Sequence, residues 1–198
     1  MGFFLRRAAL ALIPALLLSA CASTYLLETN VQTFYGVPGV PPGPSYRFER
    51  LPSQQASPFQ AQLEAMADPA LFKAGLRRDD AAPRYSVQVS ARVQRILSPW
   101  TSPWDVYGGG FGYMGPRAGF ATAFGRLEQP WFQREVGIVV RELPAGKVVY
   151  ETHAASDGPW SDNTSVLPAM YEAALQGFPN PPQGVRRVNI QVGTQVGG

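Results

Sequence analysis

The most restrictive feature of the sequence is the strict alternation over residues 84–97, RYSVQVSARVQRIL. Apolar side chains occupy every second position, and polar ones fill the positions between them. The apolar set is Tyr85, Val87, Val89, Ala91 and Val93. A strand with one apolar and one polar face belongs to a sheet that is buried on one side. The chain is therefore predicted to fold around a half-covered β-sheet.

Further strands and two helices are predicted from the spacing of apolar residues. Short alternations indicate strands within 44–51, 132–143, 147–155 and 186–192. Helical spacing predicts one helix over 58–74 and a second over about 163–178. Pro69 should split or kink the first helix, with Asp68 capping its second half, because proline lacks an N–H.

The order of these elements predicts the fold class. Three successive strands between two helices argue against an alternating parallel sheet. We therefore expect an α+β fold: a two-layer sandwich with a mainly antiparallel sheet of about five strands and two helices on one face.

The N-terminal residues have the layout of a secretory signal. Arg6 and Arg7 precede an apolar run over 8–18 that closes on small residues. The run is shorter than the roughly 20 apolar residues of a membrane-spanning helix. Leu18-Ser19-Ala20-Cys21 resembles the lipobox of bacterial lipoproteins, which implies cleavage before Cys21 and a lipid anchor on its thiol. The alternative is an ordinary signal peptide followed by an unrelated cysteine.

These features divide the chain into segments. We predict a cleaved signal over 1–20, a lipidated cysteine with a Pro- and Gly-rich tether over 21–44, and a single α+β domain over 45–198. A Gly- and aromatic-rich insertion occupies about 98–129 of that domain. For the tether, a short first strand over 30–34 is kept as an alternative. Cys21 is the only cysteine, so no intramolecular disulfide can form.

The charge of the chain does not indicate nucleic-acid binding. Removing the signal leaves 15 basic and 14 acidic residues. Nucleic-acid recognition needs clustered Lys and Arg, which this near-neutral balance does not favour.

Residues 110–115, GFGYMG, match the GxGxxG pattern of dinucleotide-binding loops. That pattern needs a strand before it and a helix after it, whereas Pro116 follows at once. No cofactor is predicted. The stretch is interpreted either as an ordinary surface loop or as a contact surface for an envelope partner. The candidate contact residues are Trp100, Trp104, Tyr107, Phe111 and Tyr113.

The remaining polar residues predict neither catalysis nor metal binding. His153 is the only histidine, and a lone strand histidine is most often solvated or structurally bonded. The run around Asp157 and Asp162 could be read as a calcium loop, but it lacks EF-hand spacing. Turn formation and capping of the following helix explain it better.

Several segments carry a family resemblance: PSYRFERLPSQQA, APRYSVQVSA, GKVVYETHAASDGPW and LPAMYEAALQGFPNPP. Behind a lipobox, they resemble the bacterial lipoproteins grouped as domain of unknown function 4136 (DUF4136). The resemblance implies a two-layer α/β sandwich on the periplasmic side of an envelope membrane, and no assigned activity or functional residues.

We therefore expect a non-enzymatic lipoprotein that holds the bilayer through Cys21 and serves interaction or envelope maintenance. Ala22 follows the cysteine, whereas lipoproteins retained at the inner membrane tend to have Asp there, so the outer membrane is favoured. The alternative is an envelope hydrolase or small-ligand binder, which would need a pocket near His153 or Asp157.

Overall fold

A computed structural model describes residues 24–36, 40–41, 43–100 and 130–193. These residues form seven strands and three helices. In chain order they are β1 (Tyr25–Tyr35), β2 (Ser45–Phe48), α1 (Pro52–Gln55), α2 (Pro58–Lys73), β3 (Arg77–Arg78), β4 (Tyr85–Ile96), β5 (Trp131–Glu142), β6 (Lys147–Gly158), α3 (Asn163–Leu175) and β7 (Gly184–Val192).

The strands form one mixed sheet in the order β3-β2-β4-β5-β6-β1-β7. Strand β2 runs parallel to β3 and β4, and the other neighbours are antiparallel. The predicted fold class is therefore wrong: the described sheet has seven strands rather than five, it is mixed, and three helices accompany it. The parallel pairs arise because α1 and α2 carry the chain back across the sheet between β2 and its neighbours.

The tether predicted over 21–44 is wrong for Tyr25–Tyr35, because these residues form strand β1. It lies inside the sheet, antiparallel to both β6 and β7. Two of its buried positions are threonines, which hid the apolar alternation. The Thr33 hydroxyl is 3.0 Å from that of Thr152 on β6, so this buried polar group is hydrogen-bonded. The strand retained as an alternative over 30–34 is confirmed and is longer than predicted.

Helices α2 and α3 pack against each other and against the sheet. Leu63 and Leu71 of α2 and Met170 of α3 are buried with Val87 and Ile138 of the sheet. The predicted split at Pro69 is wrong, because α2 continues through it; the alternative of one helix kinked at Pro69 stays a prediction. Within the described residues, no helix has the length and apolar character needed to cross a bilayer.

Asp68 does not cap a second helix. Its carboxylate accepts a hydrogen bond from the hydroxyl of Tyr46, a buried residue of β2. Burial, followed by this carboxylate, raises the pKa of Tyr46 far above its ordinary value. Asp68 thus ties α2 to the sheet on the N-terminal side of Pro69.

Candidate functional site

Exposed and half-buried aromatic and aliphatic side chains lie together at one end of the sheet. The first residues of β1 and β5 and the last residues of β4, β6 and β7 meet there: Tyr25 pairs with Val192, and Ile96 pairs with Trp131. We call this region the aromatic end, formed by Tyr25, Ile96, Leu97, Trp100, Trp131 and Trp160. Three of the four tryptophans of the chain lie in it.

The outermost part of the aromatic end is the segment that leaves β4. Trp100 is 83% exposed, Leu97 64% and Ile96 40%. Tryptophan contributes a large apolar area when it is buried, so an exposed tryptophan beside other exposed apolar side chains indicates a contact surface. These three neighbours give the surface an apolar patch that a partner could cover.

The inner part of the aromatic end is ordered by ring contacts and one hydrogen bond. The rings of Tyr25 and Trp160 are stacked, with centroids 4.6 Å apart and planes inclined by 8°. Trp131 donates its indole N–H to the Asp157 carboxylate at 2.7 Å. The polar atom of Trp131 is thus satisfied while its ring stays at the half-buried surface.

A buried arginine supports the loop that carries Trp160. Arg134 lies on the core face of β5 and is 1% exposed. Its guanidinium donates to the Asn163 side chain at 2.8 Å and to the backbone carbonyl of Trp160, and it lies 5.0 Å from the centroid of the Phe132 ring. Burial lowers the pKa of Arg134. Its hydrogen bonds fix the position of the 158–163 loop against the sheet.

Asp162 caps α3 at the same end, as the sequence predicts for this run. Its carboxylate accepts hydrogen bonds from the Thr164 hydroxyl at 2.6 Å and from the Thr164 N–H at 2.9 Å. These bonds, with one from Ser165, lower the pKa of Asp162. An anionic group here is also favoured by the helix dipole.

Two adjoining surface cavities flank the aromatic end. One, of about 470 Å³, is lined by Tyr25, Trp160, Asp162 and Val192 among others. The second, of about 420 Å³, lies between α2, α3 and the end of β7. Neither cavity is lined by His153 or Asp157. Among the described residues, no cluster of three His, Cys, Asp or Glu side chains could hold a metal ion.

His153 lies on the open face of the sheet between two glutamates. Its Nε2 is 2.8 Å from a Glu151 carboxylate oxygen, and its Nδ1 is 3.6 Å from one of Glu135. A β-carbon added at Gly137 would lie 3.5 Å from His153 Nδ1. His153 is therefore a partly exposed, hydrogen-bonded side chain of the sheet surface, in keeping with the solvated or structurally bonded role expected of it.

The comparisons with known proteins decide the family. The model for domain of unknown function DUF4136 matches residues 38–180. The chain belongs to the DUF4136 family. No curated protein matches the sequence.

Solved structures resemble this DUF4136 chain only distantly. A PDZ domain protein from Parabacteroides distasonis aligns at 12% identity and a TM-score of 0.47, over 87% of this chain and 40% of that one. A PelC dodecamer from Paraburkholderia phytofirmans aligns at 13% and 0.41, over 74% and 94%. A minor lipoprotein from Acinetobacter baumannii aligns at 12% and 0.30, over 67% and 84%. These values are too low to transfer a function.

The predicted contact surface stays a prediction, and only one of its residues lies in the described part of the chain. Trp100 is highly exposed at the aromatic end, whereas Trp104, Tyr107, Phe111 and Tyr113 lie outside the described residues, as do Cys21 and the 110–115 motif. No sequence motif indicates a role for Tyr25, Leu97, Trp131, Arg134 or Trp160.

One of these missed residues left a signal in the sequence. Positions 134, 136, 138 and 140 share one face of β5, and Arg134 is the charged member of that otherwise apolar set. A charge on a core face needs hydrogen-bond partners, so this position could have been recognised as structurally important. The Tyr25–Trp160 stack joins residues far apart in the sequence, and no local pattern indicates it.

Proposed function

We propose that this DUF4136 protein is a non-enzymatic, lipid-anchored protein of the cell envelope, attached to the outer membrane through Cys21 and facing the periplasm. Its domain serves as an interaction or envelope-maintenance module. The observation that carries this proposal is the aromatic end, where Leu97 and Trp100 expose most of their apolar surface. Such a patch favours contact over chemistry.

The alternative of an envelope hydrolase or ligand binder receives less support. It would use polar groups converging in a pocket. His153 instead lies on the open sheet face with Glu151 and Glu135, and Asp157 is engaged by Trp131. The cavities of the aromatic end are lined mainly by side chains of the helices and by Tyr25, Trp160 and Val192.

The anchor is tested by cell fractionation of the full chain. The wild-type protein is expected in the outer-membrane fraction, and Cys21→Ala in the soluble periplasmic fraction, because the acyl chains are lost. Ala22→Asp is the matched variant: it keeps the anchor and is expected to move the protein to the inner membrane.

A second measurement does not depend on where a variant travels. Cys21 is the only cysteine, so a thioether to lipid leaves the denatured wild-type protein without a thiol that reacts with maleimide. Full labelling of the membrane-extracted protein would show that Cys21 is not lipidated.

A further inference from the structure

The distance between Cys21 and the domain is set by the start of β1. Because β1 begins at Tyr25, three residues separate the anchor cysteine from the sheet. Four residue steps span at most about 14 Å when fully extended. If Cys21 is held at the membrane, the near end of β1 cannot leave the bilayer surface by more than that distance.

The chain that follows Cys21 enters the sheet at the aromatic end. Tyr25 is the first residue of β1, and the segment carrying Leu97 and Trp100 leaves β4 at the same end of the sheet. The register through β5 and β6 to β1 establishes this placement, since Phe132 pairs with Gly158 and Asn30 with Ala155. The anchor and the exposed apolar patch therefore share one end of the molecule.

The chemistry of this end suits a lipid headgroup region. Trp and Tyr are enriched at membrane–water interfaces, where an apolar ring and a polar edge are both accommodated. Exposed Arg92 and Arg95 flank the patch on β4, and the Asp157 carboxylate is already bonded to Trp131. Long basic side chains can keep their charge among headgroups while their stems cover apolar surface.

The open face of the sheet also exposes the apolar side chains of Leu26, Phe34, Val148 and Val185, but these lie among polar and charged residues. Its central residues are polar or charged, among them Gln32, Glu135, Glu151, His153 and Arg141. Laying this face on the bilayer would remove those groups from water at a cost in free energy. The short connection to Cys21 and the apolar patch together favour contact between the aromatic end and the bilayer.

We propose that the aromatic end rests on the headgroup surface of the bilayer that holds Cys21, so that the strands stand away from the membrane. This inference rests on the proposed lipid anchor. The occupant of the exposed patch at Leu97 and Trp100 is then lipid, and the opposite end of the sheet points into the periplasm. The domain then lies directly on the membrane, in place of the Pro- and Gly-rich tether predicted between it and the bilayer.

The test compares two exposed positions at opposite ends of the sheet. Leu97→Cys lies at the aromatic end, and Val185→Cys lies near the start of β7, seven residues or about 23 Å of strand from Val192. The two native side chains are similarly exposed, at 64% and 69%. Each full-length, membrane-extracted variant is labelled with a polarity-sensitive fluorophore and reconstituted into protein-free vesicles of phosphatidylethanolamine and phosphatidylglycerol.

Spin-labelled lipid in the vesicles is expected to quench the label at position 97 and leave the label at 185 bright. Equal quenching at both positions, or none at 97, would overturn the seating. Protection of position 97 in native envelopes without quenching in vesicles would also overturn it and would identify a protein partner. Failure of the anchor itself is seen separately, because the unmodified chain would then not remain with the vesicles.

Discussion

At the scale of single residues, the aromatic end depends on one glycine. Trp160 lies over Gly158, where an added β-carbon would come within 2.1 and 2.3 Å of two ring carbons. Real atoms do not approach so closely, so any side chain there displaces the indole ring. The ring is also the stacking partner of Tyr25. Gly158 therefore permits the contact that joins the 158–163 loop to β1.

We expect Gly158→Ala to destabilise the domain by about 1–3 kcal/mol, the usual cost of forcing extra volume into a packed site. Near-ultraviolet circular dichroism should weaken as Trp160 leaves the stack, and the urea midpoint should fall. Gly36→Ala is the matched control, because a β-carbon at Gly36 meets nothing within 4 Å. Equal stability of the two variants would contradict the close contact.

At the scale of elements, α2 contains a proline that its packing tolerates. Pro69 is exposed, with Ala70 and Leu71 buried beside it. A proline inside a helix removes one backbone hydrogen bond and clashes with the preceding turn, at a cost of about 3 kcal/mol. The contacts of α2 with α3 and β4 outweigh this local preference.

Replacing Pro69 by Ala should stabilise the protein by about 1–2 kcal/mol, since the regained helix hydrogen bond exceeds the entropy that the unfolded chain recovers. The urea midpoint should rise without a change in the slope of the transition. Pro58→Ala is the control: Pro58 is the first residue of α2, where proline is favoured, and no gain is expected there. A gain of similar size for Pro58→Ala would refute the explanation.

The strands and helices differ in how far the sequence predicts them. Strands β4 to β7 and helices α2 and α3 have apolar spacings that local reading detects. Strand β3 has two residues and β2 four, so neither is long enough to reveal its pairing. The extra residue on β6 opposite Val140 and Arg141 also went unseen, and it leaves Val148 41% exposed although alternation predicts it inside.

The candidate site was less predictable than the fold. Exposed Trp100 was identified from composition, because large aromatic residues outside an alternating pattern suggest a contact surface. The convergence of Tyr25, Trp131 and Trp160 follows from strand order, which no local pattern encodes. The mistaken tether had a similar cause, since the buried threonines of β1 look polar in the sequence.

At the scale of the whole molecule, the two ends of the sheet differ in chemistry. Three tryptophans gather at the aromatic end, whereas exposed Arg77, Arg78 and Arg84 lie at the opposite end with β3 and the start of β4. Among the buried tyrosines are Tyr46 of β2 and Tyr150 of β6, both in the sheet, and Tyr171 of α3 in the helical layer. Burial in the folded domain favours the protonated, uncharged form of all three hydroxyls.

Burial raises the pKa of Tyr150 to about 12 and raises those of Tyr46 and Tyr171 further above the ordinary value of about 10. As the pH rises, the unfolded chain therefore loses these protons before the folded domain does. The contribution of these tyrosines to the free energy of unfolding is fully present below about pH 10 and is lost as the pH rises toward 12. Tyr150→Phe tests this, because its buried hydroxyl has Thr33 and Thr152 nearby but no hydrogen bond of ordinary geometry among the described residues. The variant should be as stable as wild type or more so at pH 7. When the free energy of unfolding, measured with urea, is plotted against pH between 10 and 12, it should fall less steeply for the variant, by up to about 1.4 kcal/mol per pH unit. Identical slopes for the two proteins would mean that Tyr150 ionises as easily in the folded domain as in the unfolded chain.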